Sequence, residues 1–190
     1  WSYTRSRELM NELLSRPGFD RRFFDDTGTH LQPCNTSMQL CWLKHHQPER
    51  LAAARYLFFA KDWIRFRLTG VAALDLTDAS TSLLNQQSGK LSAVVLNEMG
   101  PADLQPLFPP LLAPDAQAGA LREEVAALPG LPAATPVAAR APAVRSAALG
   151  FRAGYDGDSY TSLGTTCFSR ILCPDPPPLP VGRLSVSLPH

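Results

Sequence analysis

The chain has 190 residues, of which 45% are hydrophobic and 18% charged, enough for one domain with a real core. A net charge of +1 gives no electrostatic reason to expect nucleic acid or an anionic membrane as partner, and no apolar run approaches the length of a membrane span. The four cysteines, Cys34, Cys41, Cys167 and Cys173, match no zinc or redox spacing and read as free thiols in a reducing cytosol.

In residues 1–16, Leu9, Leu13 and Leu14 recur at helical spacing with Met10 beside them, charges fill the other face, and Pro17-Gly18 follows; an amphipathic helix is predicted. Residues 19–33 read as a mixed linker with a turn at Thr27-Gly28-Thr29. Residues 36–46 carry Met38, Leu40, Trp42 and Leu43 and predict a second helix. Its end, His45-His46, suggests a metal site, but adjacent side chains on a helix diverge by about 100° and do not easily chelate one ion. A solvated helix end is the better reading, and residues 49–56 predict another short helix.

The most tightly patterned stretch is 58–84. Lys61-Asp62-Trp63 opens a helix in which Trp63, Ile64, Arg67 and Leu68 share one face, and Gly70 stands where a left-handed residue ends a helix cheaply. Residues 71–76 read as extended, and Asp75-x-x-Asp78-Ala79-Ser80 closes the unit. Periodicity alone yields a helix, a glycine stop, a strand and an acidic turn, which is also plain α/β scaffold. Residues 96–112 predict a loop with short helical turns, 119–128 a helix rich in Ala and Glu, and 129–137 the approach to a strand. Of the 18 prolines, six lie between Pro174 and Pro189, and residues 173–190 read as a disordered or extended tail.

The particular residues carry more than the pattern. Lys61-Asp62-Trp63-Ile64-Arg65-Phe66-Arg67-Leu68-Thr69-Gly70, followed by Asp78-Ala79-Ser80, closely resembles the middle of the first lobe of FGGY-type carbohydrate kinases, the family of glycerol kinase and xylulokinase. Trp1-x-x-x-Arg5 resembles the family's Trp-x-Asp-x-Arg segment, whose Trp packs against the sugar; Tyr3 departs from it at the Asp position. The stretch from Cys34 to Leu43 resembles the family's first signature, with Gln39 where Lys is usual and Cys34 where relatives contact substrate. Ser162-Leu163-Gly164-Thr165-Thr166 looks like the second phosphate loop, in which Gly164 would admit phosphate close to the backbone and Thr165 would add a hydroxyl. Phe168 falls where relatives put an aromatic ring on the sugar.

The resemblance implies an α/β, ribonuclease-H-like (actin-like) sugar kinase lobe, truncated. Residues 1–155 would belong to the first domain, 156–172 to the start of the second, and 173–190 to the tail. It implies transfer of the γ-phosphoryl group of ATP to a sugar or polyol hydroxyl, with Mg²⁺ and backbone amides offsetting the phosphate charge. Substrate would meet Trp1, Arg5, Cys34 and Phe168, and ATP phosphates would meet Gly164, Thr165 and Thr166. The expected partners are a small sugar or polyol and ATP, with no nucleic acid and no membrane; a homodimer stays open, and the location is cytoplasmic.

An alcohol needs a carboxylate to take its proton, and in relatives this is an Asp after a Gly-rich turn. Counting back from Gly150, that position is Ala143, preceded by Pro142, and between Asp115 and Asp156 the only carboxylates are Glu123 and Glu124. Losing the base removes about 10²–10⁴-fold in rate. The resemblance places the first phosphate loop before Trp1 and the adenosine region beyond the tail. The expectation is therefore an incomplete and inactive fragment, with changes of reading frame near residues 140–145 and after Arg170. The alternatives are a non-catalytic pseudokinase remnant that binds a sugar or a protein partner, and a structural α/β module with no ligand.

Overall fold

The computed structural model describes residues 4–127, 130–132, 134–139, 143–163 and 167–173. Helix α1 (Arg7–Ser15) buries Leu13, with Leu9 and Met10 packed beside it, while Leu14 stays 38% exposed. The chain then turns through Gly18, whose φ of 70° is in the left-handed region, directly into α2 (Phe19–Thr27). This helix replaces the expected linker. Phe19, Phe23 and Thr27, four residues apart, form one fully buried stripe, and Arg21, Arg22 and Asp25 between them face outward. Gly28 ends α2 at φ 66°, donating its N–H to the Phe24 carbonyl at 2.7 Å.

Helix α3 (Thr36–His46) matches its expected span and buries Ser37, Met38, Leu40 and Cys41. Helix α4 (Pro48–Ala52) is shorter than the predicted 49–56; Pro48 starts it, where a missing N–H costs nothing, and Leu51 is its buried anchor. Beyond it Tyr56, Phe58 and Phe66 form an aromatic cluster with centroids 5.2–6.0 Å apart.

Helix α5 (Ala60–Thr69) ends at Gly70 as the sequence predicts, with φ 77°. The face that carries Trp63 and Ile64 is turned outward. Trp63 and Ile64 are 52% and 53% exposed, whereas Asp62 and Arg65 are buried. The helix turns a charged pair inward because that pair is neutralised and bonded there, as described below.

Of the extended run expected over 71–76, only β1 (Leu74–Asp75) pairs, in parallel with β2 (Leu111–Leu112). Asp75 then caps α6 (Leu76–Ala79) by accepting the Asp78 N–H at 2.9 Å. The expected short turns are a π-helical turn, Val94–Glu98, and a 3-10 turn, Ala102–Leu107. Strand β3 (Gln117–Ala120) pairs antiparallel with β4 (Pro136–Ala138), and α7 (Glu123–Ala127) lies between them. The helix predicted over 119–128 forms only over Glu123–Ala127, and its first two residues are the end of β3: Gly119, at φ 107°, cannot continue a helix, and its missing Cβ lets Val71 Cγ2 come within 2.9 Å of that position. Helix α8 (Ala143–Gly150) and the antiparallel pair β5 (Ser159–Leu163) and β6 (Cys167–Ile171) complete the described chain.

The main core runs from Leu13 to Leu104 in sequence and is centred on Phe19, Phe23, Met38, Leu83, Leu84 and Val95. Among the residues whose burial is described, none of α8, β5 or β6 belongs to it. No helix among the described residues is long and apolar enough to cross a membrane. Cys34, Cys41 and Cys173 are free; burial raises the Cys41 thiol pKa, and its Sγ lies 3.1 Å from the Met99 carbonyl.

Candidate functional site

The start of the chain and the loop before α3 come together. Ser6, fully buried, donates its hydroxyl to the Pro33 carbonyl at 2.6 Å, so the segment carrying Arg5 lies against the segment carrying Cys34. The two side chains then diverge. The Arg5 guanidinium carbon sits 5.6 Å from the Trp42 ring centroid, and His46 stacks on the same indole at 4.5 Å with the rings 9° from parallel. Arg5 thus lines a cleft of about 340 Å³ with Glu8, Leu9, Glu12, His45 and His46. Cys34 does not line that cleft. It is half-buried, with its thiol 3.7 Å from Gln32 Oε1, and its carbonyl accepts from the Gln39 amide at 2.9 Å. Trp1 and Tyr3 lie outside the described residues.

His45 and His46 both reach the cleft, and His46 Nδ1 lies 3.0 Å from the Trp42 carbonyl. Among the described residues no group of three His, Cys, Asp or Glu side chains could hold a metal ion.

A second constellation lies beneath α5. Lys61 Nζ lies 3.2 Å from Asp62 Oδ1, 3.0 Å from Asp78 Oδ2 and 3.6 Å from Asp75 Oδ1. Asp62 also faces Arg65 Nη1 at 2.9 Å and accepts the Asp75 N–H at 3.1 Å. Arg65 donates onward to the carbonyls of Ala73, at 2.5 Å, and Ala139, at 3.2 Å. One side chain therefore ties α5 both to the approach to β1 and to the end of β4. Asp75 Oδ1 accepts from the Thr77 hydroxyl and the Asp78 N–H, while Asp75 Oδ2 and Arg65 Nε are buried without a hydrogen-bond partner. Burial pushes the Asp78 carboxyl pKa up, against the opposing pull of Lys61.

Sequence reasoning missed the burial of this cluster because the apolar spacing of α5 drew attention to the opposite face. The available signal was charge pairing: Asp62 and Arg65 are three residues apart on one helix, and Asp75 and Asp78 recur at the capping spacing.

The third group is the one expected to do chemistry. Ala143 opens α8, so the position aligned with the base is the first turn of a helix; residues 140–142, including Pro142, lie outside the described residues. Gly164, Thr165 and Thr166 also lie outside them, between β5 and β6. The backbone of Phe168 pairs with Ser162 in the register of that hairpin. Ahead of β5, Asp158 accepts the N–H groups of Gly154 and Tyr155 at 2.9 Å each, and these bonds lower its carboxyl pKa.

Comparison with known proteins gives one consistent answer. The family model for the N-terminal domain of the FGGY family of carbohydrate kinases matches residues 1–150. An erythritol kinase of Brucella abortus is 30% identical over 168 residues, which are 87% of this chain and 32% of that protein. The crystal structure of a xyloylose kinase from Brucella ovis superposes with a TM-score of 0.73 at 31% identity, covering 85% of this chain and 32% of that one. Glycerol kinase from Plasmodium falciparum, in a crystal structure with ADP, gives a TM-score of 0.76 at 21% identity over 88% of this chain and 33% of that one, a likeness of fold. The chain thus spans about a third of the length of these relatives. The fold is the ribonuclease-H-like, actin-like fold of these sugar kinases, and the chain belongs to the FGGY family of carbohydrate kinases.

Proposed function

We propose that this chain is the sugar-facing part of an ATP-dependent carbohydrate kinase, and that as it stands it binds a sugar or polyol without transferring phosphate. The observation that carries the second half is Ala143. A methyl group stands where the family places the carboxylate that accepts the hydroxyl proton, and the only carboxylates between Asp115 and Asp156 are Glu123 and Glu124. Without that acceptor the hydroxyl stays protonated and a poor nucleophile. The first half is supported by the family match and by the bond between Ser6 and Pro33, which holds the Arg5 and Cys34 segments together. Trp1, Arg5, Cys34 and Phe168 are the proposed sugar contacts; Gly164, Thr165 and Thr166 are the proposed phosphate contacts.

Mg²⁺ would arrive with ATP. The richest carboxylate set in the described residues surrounds the Lys61 ammonium instead, and no described set of three ligands could hold an ion. The described residues do not fit a resident metal. A cytoplasmic location and a small-molecule partner belong to the same proposal. A pseudokinase reading, with sugar binding kept for a partner's use, rests on the same intact Ser6–Pro33 contact beside the missing base.

The test is calorimetric titration of the chain with polyols, pentoses and hexoses, and separately with Mg-ATP, alongside a coupled phosphotransfer assay. Sugar binding without turnover is expected, and Arg5→Ala and Cys34→Ala should weaken it. Ala143→Asp should leave turnover at background in a chain spanning a third of its relatives. Turnover by the unmodified chain would overturn the proposal.

A further inference from the structure

Five charged side chains from three consecutive elements meet beneath α5: Lys61, Asp62 and Arg65 from the helix, Asp75 from β1 and Asp78 from α6. The Thr77 hydroxyl and the Ala73 and Ala139 carbonyls complete the contacts. With every group ionised, three carboxylates face two cations, and one negative charge is left over. Asp62 and Asp75 are fully buried, and an uncompensated charge in such a place costs more than holding a proton.

The hydrogen bonds decide which carboxylate takes that proton. The carboxylate of Asp62 has three donors, from Lys61, Arg65 and the Asp75 N–H. That of Asp75 has the Thr77 hydroxyl and the Asp78 N–H, with Lys61 nearby. Asp78 has Lys61 alone, and 21% of its side chain reaches solvent, so it is both the least supported anion and the one able to exchange a proton. Its acid form would add one O–H donor to a cluster in which Asp75 Oδ2 has none.

We propose that this cluster is a proton-linked latch: of its three carboxylates Asp78 is the one that takes up a proton in the folded chain, and the α5–β1–α6 unit is held more tightly with that proton than without it. Through Arg65 the latch reaches the Ala139 carbonyl, at the end of β4 and four positions before Ala143 in the sequence. The latch depends on neither sugar nor ATP, so it stands or falls apart from the proposed function.

The sign follows from linkage. Burial raises the Asp78 pKa in the fold above its ordinary 3.8, so the folded state binds the proton more tightly than the unfolded state. Stability then grows as pH falls through the folded-state pKa and levels off below 3.8. Glu98 and Asp103 act oppositely and lower down, because Arg22 and Lys44 hold their carboxyls below the ordinary 4.5 and 3.8.

The experiment is a series of thermal melts of the whole chain between about pH 8 and about pH 4, with Asp78→Asn alongside. The other titrating groups are common to both chains and cancel in the difference. The wild-type Tm should rise on acidification relative to the variant. A wild-type difference that is flat or falls, or a variant that keeps the full slope, overturns the latch. Should Asp78→Asn fail to fold, a carbon-13 titration of the wild-type aspartate carboxyls decides: Asp78 titrating above 3.8 supports the latch, and at or below it removes it.

Discussion

Arg65 is 4% exposed and holds three partners, the Asp62 carboxylate and the carbonyls of Ala73 and Ala139. A buried ion pair is weak evidence for net stability, since desolvation offsets much of the attraction, but breaking one side of it is costly. Arg65→Ala should therefore destabilise the chain by about 3–5 kcal/mol in urea unfolding. Arg65→Lys should recover part of that, because an ammonium restores the charge without the planar fork that reaches two carbonyls. Equal losses for both variants would mean that the fork geometry, not the charge, carries the whole effect. At the other end of the chain, Ser6→Ala removes the donor to the Pro33 carbonyl and should cost about 1 kcal/mol. The same variant should weaken sugar binding in calorimetry, since it loosens the Arg5 segment from Cys34.

Helices α2 and α5 teach opposite lessons about burial. In α2 the charged residues hide an apolar stripe at i, i+4 and i+8, and Phe19 and Phe23 are fully buried with ring centroids 6.0 Å apart. Asp26, on the same helix, bonds to the side chains of Asn85 and Ser92 and accepts the Gln86 N–H through its carbonyl, pinning α2 to a distant turn. In α5 a convincing apolar stripe faces outward. Paired substitutions separate the two cases. Phe23→Ala should lose about 3–5 kcal/mol, because a fully buried ring leaves a cavity. Trp63→Ala should change stability by less than about 0.5 kcal/mol, as exposed positions do. A large loss at Trp63 would show that the exposed face of α5 is covered in solution.

Across the whole molecule, apolar exposure is uneven. Leu149, Phe151, Tyr155, Leu163 and Ile171 are 66–81% exposed, and all lie in the last described segments, outside the main core. Among the described residues β5 and β6 pair only with each other, and two strands are marginal by themselves, while open edges beside exposed apolar side chains invite association. Sedimentation velocity over a concentration series should therefore show self-association that increases with concentration. A sharp, reversible thermal transition of a strict monomer would contradict that expectation.

Local chemistry was legible in the chain. The span of α3, the stop at Gly70 and the family itself all rest on residues a few positions apart, where backbone bonds close within one turn or a motif is read in order. The inward face of α5, the anchoring of α2 through Asp26 and the tie from Arg65 to Ala139 join residues 13 to 74 positions apart. Charged side chains enter a core only when partners arrive from elsewhere in the chain to neutralise them, and hydrophobic periodicity carries no record of those partners. The sequence alone determined the family, the span of α3 and the glycine that ends α5. The tertiary structure decided which charges are buried, where the Arg5 side chain points, and which strands find partners.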